Sequence, residues 1–284
     1  MSNSYVGAST GARIGKVLTW LGLAALATVW LVPLAFMFIT SLKSNGDIST
    51  NAPWNLPEVW MWSNFPDSWV RGNLAQVGWN SLLVAGIKVP LGLALSSMAA
   101  FALARLNLKR GTVILMIIAI GSMIPIQIAL GPLFGIINQL DLLNTHLGLL
   151  LPYLAFGIPT QVFMFYNFFS SIPKELDEAA RIDGTNNWQL FFRIILPISG
   201  PVFGALFILD FVATWNEYAM ATTLLQDQAM YMIPQAIQHF NTAYQSEWGQ
   251  LNAFVISTMI PVMIVYLAFQ RFFTSGALSG AVKG

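Results

Sequence analysis

The chain has 284 residues, 56% hydrophobic and 9% charged, with a formal net charge of +1 and a mean hydropathy of +0.65. An average soluble domain carries about a quarter charged residues, so the composition excludes an ordinary soluble fold and places the chain in a lipid bilayer. No basic run interleaved with aromatics is present, which argues against nucleic acid as a partner, and the absence of cysteine rules out disulfides and thiolate chemistry.

Six stretches, 18–40, 79–103, 112–136, 147–169, 199–222 and 253–273, reach the length of about 20 apolar residues that a hydrocarbon core requires. The expected fold is an all-α integral membrane protein with six transmembrane helices. The first stretch follows Arg13 and Lys16 as a signal peptide would, but Val17 to Ile39 is a full span, too long for a cleaved apolar region. Six spans leave both ends on one side. Arg13, Lys16, Arg105, Lys109, Arg110, Lys174, Arg181, Arg193, Arg271 and Lys283 fall on that side, against Lys43 and Arg71 opposite and Lys88 inside a span. Positive residues in short loops are retained in the cytoplasm, so the tails 1–17 and 274–284 are expected to be cytoplasmic.

Between the first two spans, Lys43 to Val77 carries Pro53, Pro57, Pro66, Trp54, Trp60, Trp62 and Trp69. Those residues suit a flap at the membrane interface, with contact to a delivery protein as the alternative. Lys88, about ten residues into span two, and Asp210, about twelve before the end of span five, lie at similar depth. Ionisable groups there are costly and mark a pathway or a pair. They are expected either to pair or to line one polar cavity, the alternative being separate satisfaction by hydroxyls and carbonyls. Pro33, Pro90, Pro125, Pro132, Pro152, Pro159 and Pro261 interrupt the spans and act either as kinks or as the hinges that transporters use.

The segment from Ser170 to Ser199, between spans four and five, is the most informative. Pro173 fits a first helical turn, Glu175, Asp177 and Glu178 complement the dipole at its start, and Gly184 can take the left-handed turn that stops a helix. Leu176, Ala179 and Ala180 are spaced to share a face almost bare of bulk, which permits close docking. A second amphipathic piece, Trp188 to Ile195, is followed by Pro197, expected to redirect the chain into span five. The two pieces make a helix-turn-helix under the membrane.

Trp215-Asn216-Glu217 combines a flat ring with hydrogen-bonding groups in span five, as a sugar contact requires; interfacial anchoring with packing is the alternative. Gln127, Asn138 and Tyr153 are further polar candidates. The second outward segment, Gln226 to Leu251, with Pro234, His239, Tyr244, Glu247 and Trp248, is expected to form a short helix on the outer face. His146 and His239 lie in separate loops without a second ligand at metal spacing, so no metal site is expected. An intramembrane enzyme lacks support: there is no His-Glu-x-x-His pair, no second intramembrane aspartate beside Asp210 and no histidine within a span. A passive channel would leave the 170–199 loop unexplained. No phosphate-binding loop is present, so ATP hydrolysis falls to another polypeptide.

The pattern Glu178-Ala179-Ala180-x3-Gly184-x9-Ile194-x-Leu196-Pro197 resembles the cytoplasmic loop of binding-protein-dependent ABC importer permeases, in particular the carbohydrate branch that includes the second permease of maltose-type systems. The resemblance extends to Asn80-Ser81-Leu82, to Ala99-Ala100-Phe101-Ala102-Leu103-Ala104-Arg105, to Trp215-Asn216-Glu217 and to the tail Ala281-Val282-Lys283-Gly284. It implies a type I importer permease in a bacterial or archaeal cytoplasmic membrane, non-catalytic and surrounded by lipid. Leu176, Glu178, Ala179, Ala180, Arg181, Asp183 and Gly184 would then meet the ATP-binding partner, with Glu178 and Gly184 central and Ser279 to Gly284 also within its reach. Lys88, Asp210, Trp215, Asn216 and Glu217 are the candidates for the solute pathway. The implied partners are a second permease of different sequence, two copies of an ABC ATPase that uses ATP and Mg, and an extracytoplasmic binding protein. This chain itself binds no cofactor. The implied solute is an oligosaccharide or sugar derivative, with a non-sugar such as a polyol phosphate as the alternative.

Overall fold

The computed structural model describes residues 10–241 and 246–281 as helices joined by turns. Expectations placed on residues 1–9, Tyr244 and Val282 to Gly284 lie outside the described residues. In chain order the helices are α1 (Thr10–Ser41), α2 (Asn45–Thr50), α3 (Asn64–Arg71), α4 (Leu74–Arg105), α5 (Gly111–Ser122), α6 (Ile126–Gln139), α7 (His146–Ser171), α8 (Glu175–Ile182), α9 (Asn187–Ile198), α10 (Gly200–Trp215), α11 (Ala219–Leu224), α12 (Ile233–Ala236) and α13 (Trp248–Ala281).

Four of these, α1, α4, α7 and α13, are long and apolar enough to cross a membrane, and the expected spans one, two, four and six coincide with them. The other two are broken. Span three consists of α5 and α6, bent by 94°, and α9 meets α10 at 75°; counted as single spans, the bent pairs bring the total to six. The first break falls at Pro125, which has φ −64° and ψ 131° and stands just before α6. Proline lacks the N–H needed to continue a helix and clashes with the preceding turn. Pro33, Pro90, Pro132, Pro152, Pro159 and Pro261 sit inside continuous helices instead. At the second break, Pro197 is not where the chain turns. Residues Leu190–Ile195 form a π-turn, Pro197 occupies the first turn after it, and the direction changes at Ser199. The wide turn shifts the hydrogen-bond register and lets a residue without an N–H be absorbed there. Span five also stops early: α10 ends at Trp215, and the chain resumes helix at Ala219.

Among the described residues, each positive-φ position besides Gly184 is an asparagine or aspartate at a helix boundary: Asn73, Asn107, Asp141 and Asn144. Their short polar side chains tolerate the left-handed region, which allows the sharp reversals around α4, α6 and α7.

The helices divide into two compact units. The first, 1–68 with 242–257, packs around Ser41, Leu42, Lys43 and Phe254. Asn64 donates to the carbonyls of Ser41 (2.9 Å) and Lys43 (3.0 Å), Lys43 Nζ donates to the Pro53 carbonyl at 3.3 Å, and Asn45 hydrogen-bonds Glu247. Trp54, Trp60 and Trp62 of the expected interfacial flap are exposed.

The second unit, 69–241 with 258–284, is built on the packing of α4 against α7, with α10 against both. At one end Val84, Ile137, Leu149, Tyr153, Met220, Ala221, Leu224 and Met232 form a core. Phe165, Phe169, Phe191 and Ile195 are buried toward the other end. The expected outward helix is two short turns, α12 and a 3-10 turn Ile237–Phe240, tied down where Ser81 Oγ accepts from Ile233 N (2.9 Å) and Asn80 donates to the Tyr231 carbonyl (2.9 Å). Gly148 lies in the first turn of α7, where a Cβ would come within 2.2 Å of the Leu142 carbonyl oxygen. Backbone cannot yield as a side chain does, so Gly148→Ala is expected to cost more than the 1–3 kcal/mol typical of overpacking. A clear fall in the unfolding midpoint of the detergent-solubilised protein would be the readout, and an unchanged midpoint would count against this packing.

Candidate functional site

The candidate functional residues fall in two places, both in the second unit. The first is the α8–α9 hairpin. Glu175, Asp177 and Glu178 occupy the first turn of α8 and Arg181 the last, signs that match the helix dipole. The helix stops in a Schellman motif: Thr185 N–H donates to the Ala180 carbonyl (3.1 Å) and Gly184 N–H to that of Arg181 (3.0 Å), with Gly184 at φ +79°. Thr185 Oγ1 adds a hydrogen bond to the Ala180 carbonyl at 2.7 Å. The next helix opens with a reciprocal cap in which Asn186 Oδ1 accepts from Gln189 N and Gln189 Oε1 accepts from Asn186 N, both at 2.9 Å. Arg181 Nη2 donates to Asn187 Oδ1 at 3.1 Å across the turn.

The expected bare face is divided. Ala180 is buried with Asp177 against the chain's own helices, whereas Leu176, Glu178, Ala179, Asp183 and Gly184 are exposed. Ile182, 86% exposed, is not among the residues singled out from the sequence; with Leu176 it is an exposed apolar side chain on α8. Trp188 and Phe192 of α9, stacked with centroids 6.0 Å apart, are exposed as well.

The second site is a cavity of about 350 Å³ lined by Lys88 of α4, Tyr153, Gly157 and Gln161 of α7, and Asp210 and Glu217. Lys88 Nζ meets Asp210 Oδ1 directly, with side-chain exposures of 5% and 10%. Gly157 makes room for the ammonium: a Cβ there would lie 2.9 Å from Nζ. Asp210 Oδ2 and Gln161 Nε2 are buried without partners, while Gln161 Oε1 accepts from Ser96 Oγ at 2.9 Å. Gln161 was missed; a lone amide inside an apolar span carries the same signal that picked out Lys88.

The Trp215-Asn216-Glu217 expectation is corrected in part. Trp215 is 3% exposed, donates through Nε1 to the Thr258 carbonyl at 3.2 Å and stacks on Phe211. Its ring faces are packed on this chain and offer no platform for a sugar. Asn216 is exposed and turned back to the Val212 carbonyl (2.9 Å). Glu217 caps α11, accepting from Met220 N (2.9 Å) and Ala221 N (3.1 Å), and accepts from Tyr153 Oη at 2.6 Å. Gln127 and Asn138 are exposed and do not line the cavity. Among the described residues no cluster of metal-ligating side chains occurs.

The profile of the family described as binding-protein-dependent transport system inner membrane component matches residues 92–277. The chain belongs to that family. It is thus a membrane-embedded transport component rather than an enzyme. It is 32% identical to the diacetylchitobiose uptake system permease protein NgcG of Streptomyces coelicolor, over 91% of this chain and 87% of the relative. It is also 32% identical to the melibiose/raffinose/stachyose import permease protein MelC of Bacillus subtilis, over 95% and 97%. Its fold matches a chain in the crystal structure of a bacterial ABC transporter involved in import of the acidic polysaccharide alginate, with a TM-score of 0.70, 24% identity and coverage of 94% and 99%. The matched residues 92–277 contain both the cavity-lining residues Tyr153, Gly157, Gln161, Asp210 and Glu217 and the α8–α9 hairpin of this permease.

Proposed function

We propose that this permease translocates a neutral carbohydrate, driven by ATP hydrolysis in a partner that grips α8. The observation that carries the reading is the hairpin itself: a locally capped helix that presents Leu176, Glu178, Ala179 and Ile182 outward and is held by Gly184 and the Asn186 cap rather than by bulk. Such a knob is shaped to enter a groove on another protein. Ala180, Arg181, Asp183 and Gly184 set its backbone, and Glu178 supplies the charge. Two ABC ATPase subunits, using ATP and Mg, a second permease of different sequence and an extracytoplasmic binding protein complete the assembly. This chain needs no cofactor of its own.

The orientation follows from charge. Arg105, Lys174, Arg181 and Arg193 cluster with the hairpin, so that end faces the cytoplasm, with the tails 1–17 and 274–284 on the same side of a bacterial or archaeal inner membrane. The spans near 18–40, 79–103, 112–136, 147–169, 199–222 and 253–273 form the permease domain, and 170–198 the coupling loop. The relatives named for diacetylchitobiose and for melibiose, raffinose and stachyose support a sugar. The cavity supports a neutral one: the charge of Lys88 is matched by Asp210 and Glu217 is a further carboxylate, so no surplus cation awaits an anionic solute. Unpaired Gln161 Nε2 and Asp210 Oδ2 are available to hydroxyls.

The test is reconstitution with the ATPase, second permease and binding protein encoded beside this chain, followed by solute-stimulated ATP hydrolysis. Neutral di- and trisaccharides are expected to stimulate. Stimulation only by a sugar acid or polyol phosphate would overturn the neutral-sugar assignment, and failure of any ATPase to associate would overturn the importer mechanism.

A further inference from the structure

The least expected buried group at the cytoplasmic end is Arg105, the last residue of α4, whose side chain is 2% exposed. Its Nη2 donates to the carbonyl of Ile172, the residue that ends α7, at 2.9 Å. Its Nη1 lies 3.4 Å from Oδ2 of Asp177, one of the two buried residues of α8. One guanidinium therefore joins the ends of α4 and α7 to the inner face of the coupling helix. The pair borders a cavity of about 390 Å³ whose other charged lining residues are Lys174, Glu178 and Arg181.

The pair is also unsaturated. Arg105 Nε and Asp177 Oδ1 are buried without hydrogen-bond partners, and the contact is a single one in a couple that commonly forms two. A buried donor and acceptor left open carry a desolvation cost, so a displacement of α8 that engages them is favoured. The outward face of α8 meets the partner; the inward face is where its motion must be passed on. Ala180, the other buried residue of α8, has no polar side chain to direct it.

We propose that Arg105 is the positioning residue that transmits movement of α8 into α4, and so into the helix that carries Lys88 to the cavity. Lysine is a poor substitute, because one ammonium lacks the planar fork that reaches both the Ile172 carbonyl and the Asp177 carboxylate. The proposal rests on α8 being the element the ATPase grips.

The experiment uses the full reconstituted transporter in proteoliposomes and reads solute imported per ATP hydrolysed, alongside the amount of ATPase retained on the complex. Arg105→Gln is expected to retain the ATPase and its basal hydrolysis while lowering solute imported per ATP about tenfold, with Arg105→Lys regaining part of the loss. An unchanged ratio in Arg105→Gln overturns the proposal, since a purely structural role changes the amount of complex and not its stoichiometry. Should Arg105→Gln fail to assemble, Asp177→Asn, which keeps shape and an acceptor but removes the charge, is read in the same way, and an unchanged ratio there overturns it equally. Glu178→Lys is run beside them. If it uncouples while Arg105→Gln and Asp177→Asn do not, the Arg105 proposal alone fails; if Glu178→Lys is also silent, the docking role of α8 fails with it.

Discussion

Glu178→Lys is expected to abolish solute-stimulated ATP hydrolysis and uptake in the reconstituted complex, and Gly184→Pro to do the same, with this chain folded in both. Glu178 is an exposed carboxylate in the first turn of α8. Reversing its charge there costs the helix about 0.3–1 kcal/mol through the dipole, too little to unfold a membrane domain. Once buried and hydrogen-bonded in a partner's groove, a charged group costs about 2–5 kcal/mol to lose, a factor of about 30 or more. The difference between these magnitudes assigns the effect to the partner. Gly184 works differently. A Cβ at this position would meet nothing within 4 Å, yet φ is +79°. Gly184→Ala is therefore expected to cost only about 1–2 kcal/mol of backbone strain and to keep most coupling. Proline fixes φ near −65° and lacks the N–H that Gly184 gives to the Arg181 carbonyl, so the hairpin loses its turn. Retained coupling in well-folded Glu178→Lys protein would make the motif structural and leave the importer mechanism resting on the spans.

The turn of the hairpin is legible in the sequence because what shapes it is local. The acidic residues of the first turn and Gly184 act within a few positions of one another, so their spacing states the structure; the Asn186–Gln189 cap is as local but is not among the sequence readings. The same holds for the long spans, where hydropathy alone fixes length. What sequence spacing does not fix is which face meets what. Ala180 shares the face assigned to Leu176 and Ala179, but it is buried while they are exposed, because Asp177 one turn away is drawn inward by Arg105, 72 positions earlier in the chain. The chemistry of Trp215 suits a sugar platform, but Phe211 and the Thr258 carbonyl claim its ring and its N–H. The turn at Ser199 escaped because a π-turn moves the register by a residue that no composition signal marks. Pro125 differs from the six prolines inside helices in that the chain parts there.

Lys88 and Asp210 were matched by depth, and they meet across 122 positions, which sets the second large effect. Lys88→Met is expected to leave Asp210, 10% exposed at the side chain, as an uncompensated charge, and Asp210→Leu to do the same to Lys88. Removing one partner of a buried pair costs about 3–5 kcal/mol, and an ionisable group at membrane depth alone costs about 2.5–3.5 kcal/mol, so both estimates put each single variant near loss of folded protein. The double variant Lys88→Met/Asp210→Leu removes both charges, the larger leucine extending into the cavity that Asp210 lines, and buried pairs replaced by apolar residues are often neutral or stabilising. Its unfolding midpoint is expected to return close to that of the parent, giving a coupling energy of several kcal/mol in the double-mutant cycle. Additive losses in the cycle would mean that the two groups are satisfied separately. Stability and transport part company here. The double variant keeps the fold but takes polar groups from the cavity wall beside Gln161 and Gly157, so its neutral-sugar uptake is expected to stay below that of the parent even where its midpoint recovers. Full recovery of both would reduce the pair to scaffold and move the solute contacts to Gln161, Tyr153 and Glu217.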